Sequence, residues 1–188
     1  MAVAAGLVGK IGAVFAVMIA VQIGAAEARC ADPFAIRPPE GAVAFTQTRH
    51  LSGARVPLVS RGEAQVAPER VEWRVTQPIE VLTVLSPGGI TQSVEGAPAQ
   101  AVGPEGAGFL SSTGLAAILS GDFEGARANY DIAQSAAPNG DWILRLTPRA
   151  DSMRRFISVI EVGGCDAVES VSVRQASGDR TDIEFASP

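Results

Sequence analysis

A chain of 188 residues with a net charge of −5 has room for one domain around one core. Its charges of both signs are interspersed, so no basic block points to nucleic acid and no polybasic segment points to an anionic membrane surface. Lys10 is the only lysine, and every later basic side chain except His50 is arginine.

The first 28 residues read as a cleaved signal peptide. Lys10 supplies the positive start, and Ile11 to Ala20 form an apolar run that continues to Ile23. Ala26-Glu27-Ala28 then puts small residues at the two positions a signal peptidase reads. The uncharged stretch from Ile11 to Ala26 is short for a bilayer span, which weighs against a membrane anchor. Arg29 stands where a lipidated Cys30 would need a small residue, which weighs against a lipoprotein. The expected location is the periplasm. In an exported protein Cys30 and Cys165 read as one disulfide, joining the N-terminal arm to a late strand. The C-x-x-C spacing of a redox pair is absent.

Residues 29–42 hold Pro33, Pro38 and Pro39 and read as an extended arm, not a helix. Short alternating runs follow near 43–50, 56–66, 70–76, 79–86, 89–94, 97–102, 127–136, 141–147, 154–162, 166–175 and 180–186. Gly53, Pro68, Pro87-Gly88-Gly89, Gly96, Pro138-Asn139-Gly140, Gly163-Gly164 and Gly178 punctuate them. Eleven strands at this spacing predict an antiparallel meander. In Arg70 to Pro78, Val71, Trp73 and Val75 share one face and Glu72, Arg74 and Thr76 the other. That pattern suits an ordinary sandwich strand or the wall of a cavity. Trp142, Leu144 and Leu146 alternate with Ile143 and Arg145, and Val171, Val173, Ile183 and Phe185 alternate with polar neighbours.

The exception is the glycine-rich stretch 103–126. Thr113 can cap a helix over Gly114 to Ser120, and Gly121 can end it. Leu115, Ile118 and Leu119 fall on one face at i, i+3, i+4, flanked by Phe109, Leu110 and Phe123. So short a helix is marginal in water and must bury its apolar face. It reads as a mobile lid or as a plug closing one end of a barrel.

Catalytic signatures are absent. There is no G-x-S-x-G elbow, P-loop or dinucleotide fingerprint, and no His/Cys/Asp/Glu cluster at metal-ligand spacing. His50 reads as a surface residue. Glu161 and Glu169 can approach on neighbouring strands, but solvated strand positions suit them as well. Tyr130 reads as bordering a core or cavity. No enzyme, metal or cofactor is expected.

Several motifs, in order and spacing, resemble the periplasmic outer-membrane lipoprotein carriers, the LolA/LolB-like family. Phe45-Thr46-Gln47 is similar to that family's first-strand motif, and Val71 to Pro78 to its tryptophan strand ending in Thr-Gln-Pro. Ser86-Pro87-Gly88-Gly89 stands where the family has an Asp-Gly turn. Asn129 to Ile132, Leu144 to Arg149 and the last hairpin also have counterparts, so the likeness covers about 43–186. It implies a mainly β fold, an incomplete antiparallel barrel of about eleven strands with a helical lid at 103–126. The family's long N-terminal amphipathic helix is replaced by the proline arm. Its latch arginine before a proline is replaced by Ala67 before Pro68, with Arg70 nearby.

The implied function is a divergent carrier that holds acyl chains of a lipoprotein or other lipid in an apolar cavity between the inner and outer membranes. Phe45, Val71, Trp73, Val75, Trp142 and Leu144 are the expected wall. Leu110, Leu115, Ile118, Leu119 and Phe123 are the expected cover. The expected partners are an inner-membrane donor and an outer-membrane acceptor, with the carrier a monomer. The alternative is a sensor or accessory module of an envelope lipid or glycolipid export system that uses the same cavity.

Overall fold

The computed structural model describes residues 30–67, 70–103 and 115–186, without the side chains of Leu115 and Ala116. The expected leader 1–28, Pro68, Phe109, Leu110 and the first part of the expected lid lie outside the described residues.

Eleven strands form one sheet: β1 (Ala42–His50), β2 (Leu58–Ala67), β3 (Arg70–Gln77), β4 (Val81–Ser86), β5 (Gly89–Val94), β6 (Gln100–Val102), β7 (Tyr130–Ala136), β8 (Trp142–Pro148), β9 (Ile157–Gly164), β10 (Val168–Gln175) and β11 (Arg180–Phe185). Their order is β6-β5-β4-β3-β2-β1-β11-β10-β9-β8-β7, and every pairing in it is antiparallel. The sheet is a meander whose first and last strands join at its centre, and it is not closed. The expected strands are all present, with shifted ends. β2 starts at Leu58, β4 at Val81 and β6 at Gln100, because turn residues occupy the positions before them.

Alternation makes the sheet amphipathic. Paired residues share a face, so Phe45 aligns with Phe185, Ile183 with Val171, Val171 with Val162, and Val162 with Leu144. The four positions from Ile183 outward, Ile183, Val171, Val162 and Leu144, are buried apolar side chains. The other face carries exposed ion pairs such as Arg145–Glu161 and Arg74–Glu80, each contributing at most about 1 kcal/mol.

Among the described residues three short α-helices interrupt the meander: α1 (Leu115–Leu119), α2 (Phe123–Ala126) and α3 (Asp151–Arg154). α1 falls on the helix expected over 114–120, and α2 follows it as a second, unexpected one. The strands expected from 127 and 154 begin at Tyr130 and Ile157, because helical turns take up the residues before them. The arm also differs from expectation: Pro33–Ala35 is a single 3-10 turn. Pro33 takes its first position, where proline's missing N–H costs nothing, and Asp32 Oδ1 accepts the Phe34 amide at 3.0 Å.

Candidate functional site

The concave face is built around aromatic rings that reach across small residues. On β2, Gly62 and Ala64 stand between Phe45 on β1 and Trp73 on β3. With so little side chain between them, the two rings stack at 3.9 Å between centroids. Phe185 meets Trp73 edge-on at 6.3 Å. The β2–β3 register shifts beside Gly62, and a Cβ there would lie 1.9 Å from the Arg74 carbonyl oxygen. Glycine therefore permits the close approach that bends the sheet at this point. On the other side of the sheet Trp142 pairs with Gly164, and a Cβ on Gly164 would lie 2.8 Å from the indole. The Trp142 Nε1–H donates to the Cys165 carbonyl at 2.7 Å, so the buried indole is satisfied.

The cover is made by α1 and α2. Gly121, at φ +71°, ends α1: its amide donates to Ile118 O at 3.1 Å and the Asp122 amide to Ala117 O at 2.9 Å. This is the paired closure that a left-handed residue after a helix allows. Asp122 then caps α2 by accepting the Gly125 amide at 2.8 Å. The two helices therefore turn sharply, and Ile118, Leu119 and Phe123 all enter the buried cluster with the concave face. Phe123 is fully buried and meets Trp142 edge-on at 6.4 Å.

The N-terminal arm lies over this cover. Cys30 and Cys165 are disulfide-bonded, which fixes the arm to the β9–β10 turn. Phe34 meets Phe123 edge-on at 6.3 Å, and the Arg127 guanidinium sits 4.6 Å from the Phe34 ring centre. Ile36 approaches Gly121 so closely that a Cβ there would lie 2.6 Å from the Ile36 carbonyl oxygen.

Of the expected wall residues, Phe45, Val71, Trp73, Trp142 and Leu144 are buried in one cluster, and Val75 packs against it half-buried. Of the expected cover, Ile118, Leu119 and Phe123 join that cluster. Leu115 opens α1, but its side chain, like all of Leu110, is outside the described residues. The expected apolar hollow takes a different form, since the cover's own side chains occupy the concavity. An open cleft of about 310 Å³ runs along its edge between α1 and the β2–β4 hairpins, lined by Val66, Val71, Leu85 and Ala117, with Arg70 at its border. Reading strand by strand did not single out Leu146, Ile160 or Val162 as wall residues, although they are fully buried. Their alternation was the available signal. Phe34, one aromatic in a proline-rich arm, offered none.

Buried polar groups in the concavity are few. Thr83 accepts from Gln92 Nε2 at 3.0 Å. Tyr130 is buried, and burial pushes its phenol pKa up to about 12. Glu161 pairs with Arg145, while Glu169 falls at the β9–β10 register shift, so the two do not form a paired-carboxylate site. His50 lies 3.4 Å from Asp182 at the sheet margin.

Among solved structures, the fold is similar to a LolA superfamily protein from Nitrosomonas europaea, at 10% identity and TM-score 0.44, covering 82% of this chain and 88% of that one. It is similar to a domain from Vibrio parahaemolyticus described as an outer membrane lipoprotein-sorting protein (11% identity, TM-score 0.41, 82% and 87% covered). A DUF1329 family protein from Desulfovibrio piger is similar at 9% identity and TM-score 0.37, with 77% and 82% covered. These are likenesses of fold alone. No family model matches the sequence, and no curated protein does.

Proposed function

We propose that the protein is a periplasmic carrier that takes an acyl chain of a lipoprotein or another lipid onto its concave face. The observation that carries this reading is the nature of the cover. An apolar face spanning Phe45, Trp73, Leu144 and Ile183 is roofed by helices of five and four residues. Neither is long enough to hold helical form without the contacts it makes. A second sheet or a long helix would make a permanent core, whereas these two turns can be displaced.

The magnitudes agree with reversible exchange. Exposing Ile118, Leu119 and Phe123 costs about 1.5–3 kcal/mol each. A chain of about fifteen methylenes gains roughly 12 kcal/mol on burial before ordering costs. Cargo that takes the place of the three side chains offsets their exposure, and the surplus is small enough for release to a partner. Capture consists of lid displacement and burial, with no bond made or broken. Export follows from the leader, and the inner-membrane donor and outer-membrane acceptor are the partners such a route requires.

The test is mass spectrometry of organic extracts from protein purified from its own periplasm, together with titration of a fluorescent acyl probe. Wild type is expected to carry lipid and bind the probe. Leu119→Asp is expected to lose both while keeping the far-UV circular dichroism of the sheet. A folded wild-type protein that yields no lipid and binds no probe overturns the reading.

A further inference from the structure

No stretch of the sequence is polybasic, yet the fold gathers basic and apolar side chains from separate loops onto one rim. Antiparallel alternation sends the loops 51–57, 78–80, 95–99, 149–156 and 176–179 to the same end of the sheet. Among the described residues, the large apolar side chains that stay exposed are Val56, Leu58, Val59, Ile79, Val94 and Phe156. All six lie in those loops or in the strand residues that adjoin them. Among the described residues the opposite rim has none, although the two ends are built from the same strands. Val56 at 74% and Phe156 at 66% exposure are especially open. A grouping of this kind is unusual on a surface meant only for water.

The charge is polarised in the same direction. Arg49, Arg55, Arg155 and Arg174 stand exposed on this rim or one residue inside it, and none has a carboxylate partner among the described residues. The rim's acids are mostly engaged. Asp131, Asp151 and Asp182 pair with Arg149, Arg154 and Arg180, Glu80 pairs with Arg74, and Asp179 accepts the Ser52 amide at 2.7 Å. Only Glu95 stands apart. The other rim carries Glu40, Asp141, Asp166 and Glu169 against one unpaired exposed arginine, Arg37, while Arg70 there pairs with Glu72. A chain with net charge −5 thus presents one end with surplus arginine around exposed apolar side chains.

We propose that this rim docks on the surface of an anionic phospholipid bilayer. The arginines supply attraction to headgroup phosphates, and Val56, Leu58, Ile79 and Phe156 enter the headgroup–acyl boundary. No helix among the described residues is long and apolar enough to cross a membrane. A surface built this way binds loosely and lets go, because no loop contributes more than a few apolar residues. Docking goes beyond acyl capture and does not require it: the rim and the concave face share no side chain.

The experiment is flotation of the full chain with vesicles of phosphatidylglycerol and, separately, of phosphatidylcholine, at low and at high salt. Binding to phosphatidylglycerol is expected to exceed that to phosphatidylcholine by at least about tenfold and to fall steeply with salt. Arg155→Glu with Arg174→Glu is expected to weaken it by at least about 25-fold, at roughly fivefold for each positive charge removed. Val56→Asp with Phe156→Asp is expected to abolish it. Asp166→Ala on the opposite rim serves as the control and leaves it unchanged. These positions are exposed, so melting temperatures should hold and a loss of binding is not a loss of fold. Equal flotation on both lipids, none on either, or rim variants that float like wild type would each overturn the proposal. So would sedimentation showing a dimer that the Val56 and Phe156 changes dissolve, because the rim would then be a self-association face. Leu119→Asp separates the two readings: acyl capture is lost while flotation on phosphatidylglycerol stays.

Discussion

Gly62 shows how much of the concave face rests on one missing side chain. It stands between Phe45 and Val75 in the register, where an alanine Cβ would collide with the Arg74 carbonyl. Gly62→Ala is expected to cost about 3 kcal/mol, since two backbones must separate and the Phe45–Trp73 stack must shift. Gly88 in the β4–β5 turn provides the comparison, because a Cβ there meets only Ser86 Oγ at 3.7 Å. Gly88→Ala should stay within about 0.5 kcal/mol in the same urea titration. Tyr130 sets an upper pH limit on stability. Its phenol is neutral in both states below pH 10, so it contributes no pH dependence there. Between pH 10 and about 12 the unfolded chain loses that proton and the folded chain keeps it. Stability therefore falls as pH rises, by about 2–3 kcal/mol at most. Urea midpoints of wild type and Tyr130→Phe at pH 9 and above pH 11 check this. The drop should shrink in the phenylalanine variant.

At the scale of elements, the strands and the helix ended by Gly121 were legible, and the other connectors were not. Alternation over six to ten residues is a strong signal and marks the ten longer strands and the apolar side of Trp73 and Leu144, while the three-residue β6 was legible from the glycine and proline around it. α2 and α3 have four residues each, too few for a 3.6-residue period to show. α2 exists because Asp122 caps it and because Phe123 is held between Phe34 and Trp142, contacts that come from distant parts of the chain. The disulfide was legible from the cysteine count, but its role was not. It holds the arm so that Phe34 and Ile36 bear on the cover. Cys30→Ser with Cys165→Ser removes a cross-link over a separation of 135 residues. The expected loss is about 2–5 kcal/mol, mostly through a freer unfolded chain. Hydrogen exchange should rise first at residues 118–126, ahead of the central strands, because the arm no longer restrains them. Uniform exchange across the chain would mean that the arm does not hold the cover.

For the whole molecule, the sequence order of the strands matters more than their number. β1 lies against β11 at the centre of the sheet, so its central seam joins residues more than a hundred positions apart. Such non-local pairing makes folding slow relative to helical proteins of this size. Sequence alone could indicate a meander but not that its two ends meet in the middle. Nor could it show that exposed side chains from five loops collect at one end, since that grouping exists only once the register is set.

That seam makes the protein divisible. Cutting the chain after Gly103 leaves β1–β6 on one piece and β7–β11 on the other, each an unbroken run of hairpins. No strand pairing is lost, and the Cys30–Cys165 bond bridges the two pieces. Fragments 29–103 and 104–188, purified separately and refolded together under oxidising conditions, should therefore assemble across the β1–β11 seam into a species that migrates as one band without reductant and as two with it. Fragments recovered only separately would show that the half-sheets cannot find each other once the tether is cut.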